Sequence, residues 1–313
     1  MRSSTATGTT ATAEPPAAGI ARGRFAPSPT GALHLGSLLA AVGSYLDARA
    51  AGGEWLVRIE DVDRTREVPG AADGILRTLE RFGLHWDGPV LYQSTRDDAY
   101  RAALERLARL GLTYGCSCSR ANLAAGEAPE ARYPGTCRGG PARAGVAVAT
   151  RFRVEGYAPV TVADRLQGAY TQSVDAAVGD FVLQRRDGFW SYQLAVVVDD
   201  AHQGVTDVVR GLDLLDNTPR QRLLQAALGL PAPRTLHLPL LIDADGGKLS
   251  KSRRALPVDP VSAPATLSQV LALLCHTPPR MLHGAAVGEQ LAWACGTWKP
   301  SLLQGLKEVL ASA

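Results

Sequence analysis

Apolar positions along the chain alternate between strand-like and helix-like spacing, and the order of those segments predicts an α/β fold. Gly23-Arg24-Phe25-Ala26-Pro27-Ser28 predicts a short strand that breaks at Pro27 and Pro29. Small and apolar residues over 31–46 suit a helix, and residues 53–60 (GEWLVRIE) predict the next strand, giving a β-loop-α-β opening. Ile75, Leu76, Leu79 and Phe82 recur at helical spacing and stop at Gly83; Tyr100, Ala103, Leu104 and Leu107 do the same and stop at Gly111. Residues 114–145 lose periodicity, gather Cys, Gly and Pro, and read as an irregular insertion. Strand-like segments return at 149–154 and 191–198, residues 212–228 look helical, 236–243 predicts a last buried strand, and helices follow from Ala263. No segment repeats. The prediction is an open parallel sheet interrupted by an insertion.

Composition narrows the function. The 313 residues carry 33 Lys+Arg against 30 Asp+Glu, a net charge of +3 too even to identify a nucleic-acid binder from charge alone. Hydrophobic residues at 46% exclude global disorder, and no apolar run approaches the roughly 18–20 residues of a membrane span. Residues 1–20 are Thr/Ala/Ser-rich without an apolar h-region, so a disordered tail is expected and a secretory signal is not. Five cysteines make no disulfide scaffold in a chain this long, so the expected location is a reducing cytoplasm.

Two segments carry candidate chemistry. Pro27-Ser-Pro-Thr-Gly31-Ala-Leu-His34-Leu-Gly36-Ser37 joins the first strand to the first helix, where open α/β sheets bind ligands and a helix start offers free N–H groups to a phosphate. The glycines permit close backbone approach and His34 can donate to a phosphate oxygen; a Pro/Gly turn with a surface histidine is the plain alternative. The segment is neither GxGxxG nor a P-loop. Lys248-Leu-Ser-Lys251-Ser252 holds two of the chain's four lysines in a Gly-rich loop, suited to closing over a polyphosphate in a protein that otherwise uses arginine as its cation. A third group, Cys116, Cys118 and Cys137, suggests structural zinc; Tyr133, Glu127, Glu130 or water could supply the fourth ligand. Cys275 and Cys295 are expected to be buried small hydrophobes, and His85, His202, His237, His276 and His283 to serve packing or hydrogen bonding.

Together these segments resemble the "HIGH" and "KMSKS" signatures of class I aminoacyl-tRNA synthetases. The glutamyl branch is closest, through Arg24-Phe-Ala-Pro-Ser-Pro-Thr-Gly, Arg58-Ile-Glu-Asp, Trp86-Asp-Gly, Tyr92-Gln-Ser, Val209-Arg-Gly-Leu-Asp-Leu-Leu and Thr218-Pro-Arg-Gln. Ser37 stands where the first signature ends in His, and Leu249 replaces the Met of the second. Only 61 residues follow Ser252, too few for the anticodon-binding region of a full glutamyl-tRNA synthetase, so the pattern resembles the truncated glutamyl-Q tRNA(Asp) synthetase family.

That resemblance implies a ligase that activates L-glutamate with ATP and Mg²⁺ and transfers it to queuosine in the anticodon loop of tRNA(Asp). It implies a Rossmann-like catalytic domain in two halves, 21–113 and 181–245, an insertion with a zinc site at 114–180, and the lysine loop with C-terminal helices at 246–313. It implies glutamate binding by Arg24, Phe25, Ala26, Pro27, Ser28, Glu60, Tyr192 and Arg210. His34, Gly36, Lys248 and Lys251 are implied to bind ATP, with His34 and Lys251 catalytic. One Zn²⁺ on Cys116, Cys118, Tyr133 and Cys137 is implied as well, since Tyr133-x3-Cys137 fits the family pattern. A monomer with a basic surface near the cleft, Arg253 and Arg254 among its candidates, is expected. A minimal glutamyl-tRNA synthetase charging tRNA(Glu), a nucleotidyltransferase adenylating a small metabolite and a non-catalytic tRNA-binding paralogue are the alternatives.

Overall fold

The computed structural model describes residues 19–118, 132–243 and 257–311. Strand β1 (Arg22–Phe25), helix α1 (Leu35–Ala50) and strand β2 (Glu54–Ile59) form the parallel opening unit, with Phe25 opposite Val57. Helix α2 (Ala71–Arg81) ends before Gly83, whose φ of +70° reverses the chain at low steric cost, and the short β3 (Leu91–Tyr92) joins the far edge of β2. Helix α3 (Asp97–Arg109) leads into β4 (Thr113–Cys116), which pairs antiparallel with β5 (Ala149–Phe152). The hairpin β6 (Val160–Asp164) and β7 (Gly168–Gln172), the single turn α4 (Val174–Ala177) and β8 (Phe181–Gln184) follow; β8 closes the β4-β5-β8 sheet. Helix α5 (Tyr192–His202), β9 (Asp207–Gly211), α6 (Thr218–Leu228) and β10 (Arg234–Leu238) complete the second parallel unit. Beyond it lie β11 (Leu240–Ile242), α7 (Ala263–Leu273), α8 (Val287–Thr297) and β12 (Glu308–Leu310), which pairs with β11.

The two parallel units abut along β1 and β9. The Thr206 amide donates to the Arg22 carbonyl at 2.9 Å, and the Arg22 amide donates to the Thr206 hydroxyl at 2.8 Å. One apolar cluster (Leu38, Val42, Trp55, Val57, Leu79, Leu238, Leu267, Leu271) packs α1, α7 and α8 around the first unit. A second (Tyr100, Leu107, Phe152, Leu183, Leu194, Val197, Leu224) joins α3, α5 and α6 to the antiparallel sheet. The carboxyl ends of β1, β2 and β9 emerge between these clusters. No helix among the described residues is long and apolar enough to cross a membrane.

The structure departs from the sequence reading where tertiary burial or a single residue outweighs local pattern. Residues 191–198 were expected as strand but open α5, because Ser191 caps the helix by accepting from the Leu194 amide at 3.4 Å. Leu194 to Val197 are all buried there, so a continuous apolar run with β-branched residues reads equally as strand or as buried helix. Helix α1 starts at Leu35 rather than Gly31, with His34 as its cap. The predicted strand at 236–243 is divided at Pro239, and the segment at 212–228 opens with a 3₁₀ turn before α6. The β6–β7 hairpin, within residues 114–180, pairs through β6 with β10 of the second parallel unit. Cys275 is exposed with φ +57° after α7 and Cys295 is half-buried, so neither is the buried hydrophobe expected. Residues 1–18 lie outside the described chain.

Replacing the Ser191 cap should measurably loosen α5, the helix whose first residue is Tyr192. Ser191→Ala is expected to lower unfolding free energy in urea by about 1 kcal/mol, and Ser191→Asp to retain it.

Candidate functional site

Two arginines and two acids converge where β1, β2 and α5 end. The Pro27 carbonyl accepts the Glu60 amide at 2.9 Å, tying the loop after β1 to the end of β2. Arg24 donates from Nε to Asp200 at 3.2 Å, and Arg58, fully buried, donates to the same carboxylate at 2.7 Å and to Gln203 at 2.7 Å. Arg58 also stands 3.6 Å from Glu60. Neither Nη of Arg24 makes a hydrogen bond within the described residues, which leaves the outer edge of that fork open. Burial pushes the Glu60 carboxyl up to about 6; Arg58 and Arg24 oppose this, while Asp200 and Asp199 add to it. Burial works in the same direction on Asp200, but Arg24 and Arg58 outweigh it and hold that carboxyl below its usual range. Asp199 turns to the other side of α5, accepting from Gln93 at 2.9 Å, Tyr100 at 2.5 Å and Arg96 at 3.1 Å.

Arg210, on β9 next to β1, is buried with only neutral partners among the described residues. Its guanidinium donates to His237 Nε2 at 3.0 Å, Tyr192 Oη at 3.1 Å, the Leu214 carbonyl at 3.2 Å, Thr218 Oγ1 at 2.9 Å and Gln221 Oε1 at 3.0 Å. No described carboxylate forms an ion pair with it. A guanidinium keeps its charge at any pH the fold survives, so this arrangement calls for an anion beyond the described residues.

The loop between β1 and α1 presents the third part of the site. His34 caps α1: its Nδ1 accepts from the Ser37 amide at 3.2 Å, and its Nε2 lies 3.0 Å from the Ser37 hydroxyl. A ring that accepts at Nδ1 carries its proton on Nε2 when neutral, so His34 is a donor at that atom. Gly36 lies in the first turn of α1. Val258 donates its amide to the Leu33 carbonyl at 2.8 Å and Pro257 bridges to His34, so the chain re-enters beside this loop six positions after Lys251. Lys248 and Lys251, like Arg253 and Arg254, lie outside the described residues.

Of the other sequence-named residues, Ala26 and Pro27 are half-buried and Ser28 is exposed on the loop. The Phe25 ring instead stacks on Trp55 at 6.4 Å within the core, so only its main chain could face a ligand. Arg58 was quoted only as part of a motif, His237 was expected to pack or hydrogen-bond, and Asp199, Asp200 and Asp164 were not singled out. The pair Asp199-Asp200 closing an apolar run carried a usable signal, since carboxylates there need buried partners. His237 carried none, because its value depends on Arg210 from another strand.

The cysteines form a separate centre at the end of β4. The Sγ atoms of Cys116, Cys118 and Cys137 all lie within 4.8 Å of one another, with Cys118 to Cys137 at 3.6 Å. Tyr133 Oη stands 3.3 Å from Cys116 Sγ and 4.0 Å from Cys118 Sγ. Zinc–sulfur bonds of about 2.3 Å in a regular tetrahedron give sulfur–sulfur edges of about 3.8 Å, so this donor set fits zinc. Burial disfavours the Cys137 thiolate, yet donation from Ala142, Ser117 and Tyr133 outweighs it and brings the thiol down to about 6. Burial holds the Tyr133 phenol well above its usual range. Tyr133 is fixed by its amide bond to the Val178 carbonyl at 2.8 Å and by Arg151 stacked 3.7 Å over its ring. Glu127 and Glu130, the alternative fourth ligands, lie outside the described residues.

Comparison with known proteins supplies a family for this arrangement. The family described as tRNA synthetases class I (E and Q), catalytic domain, matches residues 21–262. The chain is 54% identical over 277 residues, covering 88% of this chain and 92% of the relative, to a glutamyl-Q tRNA(Asp) synthetase of Pseudomonas aeruginosa (strain LESB58). It is 55% identical over 281 residues, with 88% and 92% covered, to the protein of the same description from Thiobacillus denitrificans. Among solved structures it is similar to a glutamate tRNA ligase from Elizabethkingia meningosepticum in complex with its amino acid. The TM-score is 0.78 and the identity 26%, over 94% of this chain and 67% of that one.

The raised Glu60 carboxyl yields a test with a definite sign. Its folded value of about 6 exceeds the ordinary 4.5, so the native state binds more protons between them and loses stability as pH rises through that interval. Glu60→Gln should therefore be at least as stable as the parent at neutral pH. Urea unfolding followed against pH should show the parent losing stability relative to Glu60→Gln as pH rises from 4.5 to about 6.

Proposed function

The chain belongs to the class I tRNA synthetases of the glutamyl and glutaminyl branch, and on that premise we propose that it activates L-glutamate with ATP and transfers the glutamyl group to queuosine in the anticodon of tRNA(Asp). The observation that carries the amino-acid half is the charge pattern of the cleft. Arg24 and Arg58 are matched by Asp200 and Glu60, whereas Arg210 has only neutral partners among the described residues. The excess single positive charge complements L-glutamate, whose net charge is −1. Glu60 receives the α-ammonium, and the open edge of Arg24 and the Arg210 fork receive the two carboxylates. Glutamine would leave one buried guanidinium unpaired, a penalty of about 1–3 kcal/mol or more.

In the first step an oxygen of the glutamate α-carboxylate attacks the α-phosphorus of ATP, and the bond to the bridging oxygen of pyrophosphate breaks. The Nε2 proton of His34 is placed to exchange the Ser37 hydroxyl for a phosphate oxygen, and the Ser37 amide keeps the ring in the donor tautomer. Lys248 and Lys251 are assigned to the same phosphates by the family signature they resemble, and the described chain resumes at Pro257 beside His34. Mg²⁺ arriving with ATP would supply positive charge to offset that on the departing pyrophosphate. In the second step a hydroxyl of the queuosine cyclopentene-diol attacks the activated carbonyl carbon, AMP leaves with its phosphate, and an ester remains. The fold offers no need for a covalent protein nucleophile, because the adenylate is itself the activated species. The cysteine centre, away from these groups, is read as a structural zinc site on Cys116, Cys118, Tyr133 and Cys137.

Labelled glutamate with ATP and Mg²⁺ should appear on queuosine-containing tRNA(Asp) and not on unmodified tRNA(Asp) or tRNA(Glu). Label on tRNA(Glu) would identify a minimal charging enzyme instead. Metal analysis by mass spectrometry should find about one zinc per chain in the parent and almost none in Cys137→Ser, with a lower melting temperature. A stable, metal-free parent would exclude the zinc assignment.

A further inference from the structure

Arg210 is held from behind by a buried pair that touches neither end of the cleft. Its Nε–H can only donate, and the atom receiving it, His237 Nε2 at 3.0 Å, must therefore carry a lone pair. The imidazole proton then sits on Nδ1 and is donated to Asp164 Oδ2 at 2.6 Å. Asp164 is anchored in turn, its Oδ1 accepting the amides of Leu166 at 3.1 Å, Gln167 at 3.0 Å and His237 at 3.2 Å. Both side chains are fully shielded from solvent. Burial lowers the His237 pKa, with Arg210 acting in the same direction against Asp164, so the ring stays neutral. Asp164 remains ionised despite its burial, since the hydrogen bond from His237 and the turn amides bring its carboxyl to about 2. Thr218 Oγ1, 2.9 Å from the Arg210 fork and 3.5 Å from His237 Nε2, completes the cradle.

The chemistry of this relay is specific. A carboxylate placed directly on Arg210 would orient the guanidinium but neutralise it and compete with an incoming anion. An imidazole interposed between them supplies the same directional acceptor while keeping the negative charge one ring away. We propose that His237, locked by Asp164 in the tautomer protonated at Nδ1, is a positioning residue that aims the Arg210 fork at a substrate carboxylate and so sets the affinity for glutamate. This rests on the glutamate-activating reading above.

Three variants separate positioning from mere packing. His237→Leu removes the acceptor. His237→Gln places an amide oxygen near the former Nε2. Asp164→Asn keeps its carbonyl on the three turn amides and so must turn its NH₂ towards His237, driving the imidazole proton to Nε2, where it opposes the Arg210 donor.

In ATP–pyrophosphate exchange with the RNA acceptor present, His237→Leu and Asp164→Asn should each raise KM for glutamate by about tenfold or more, with KM for ATP within about twofold of the parent. His237→Gln should stay within about threefold, and Asp164→Asn in that background should add little. Nitrogen-15 spectra of the parent should show a protonated Nδ1 and a bare Nε2 on His237, reversed in Asp164→Asn; the spectra remain decisive if the leucine variant fails to fold. Equal rises in both KM values, a fall in kcat with unchanged KM for glutamate, or a parent proton on Nε2 would overturn the assignment. A parent without glutamate-dependent exchange would instead remove the functional reading beneath it.

Discussion

A buried guanidinium cannot shed its charge, and the architecture of the cleft follows from that constraint. Arg58 is wholly enclosed, and it is tolerable only because Asp200 bonds to it at 2.7 Å while Gln203 takes a second donor. Asp200 is shared with Arg24, which turns Arg24's remaining donors outward. Helix α5 must therefore present its carboxylates to the ends of β1 and β2, and the second parallel unit is fixed against the first. Arg210 meets the same constraint differently: it is wrapped in neutral acceptors and left one negative charge short.

On the proposed reading, the contrast between those two solutions makes the cleft selective for charge. Where the acid is internal, the arginine is part of the scaffold. Where the acid is displaced behind a neutral ring, as with Asp164 behind His237, the arginine remains available. Glu60 sits between these cases, buried enough to raise its carboxyl yet flanked by two cations, so the ammonium proposed to bind there would favour its ionised form. Stability and function pull in opposite directions at this residue, as is common where charge is held for a ligand.

The cysteine centre obeys a different economy. Its sheet (β4, β5, β8) contributes a modest apolar layer, and the donors are held by short local bonds: the Cys137 amide to Tyr133 Oη at 2.9 Å, and the Ala142 amide to Cys137 Sγ at 3.4 Å. Gly179, with φ +70°, lets the backbone of Tyr133 approach closely; a Cβ there would stand 2.1 Å from the Tyr133 carbonyl oxygen. The position of the phenol is thus set from a strand connection more than forty residues away in sequence.

Local pattern sufficed wherever the cause was local. The β-α-β opening, the ends of α2 and α3 at glycines, the Pro-Gly loop carrying His34 and the grouping of Cys116, Cys118 and Cys137 all depend on residues near one another in sequence. Those motifs also sufficed to point to the family. The identity of α5 did not follow, because burial on most faces erases the period that distinguishes helix from strand. Nor did the partners of the arginines. Arg24 and Asp200 are 176 positions apart, and Arg58 and Asp200 142, so their pairing exists only once β1, β2 and α5 are assembled. The chain by itself determined which chemical groups are available; the folded structure decided which charges are spent on holding it together and which are kept for a ligand, because only packing sets the distance between them.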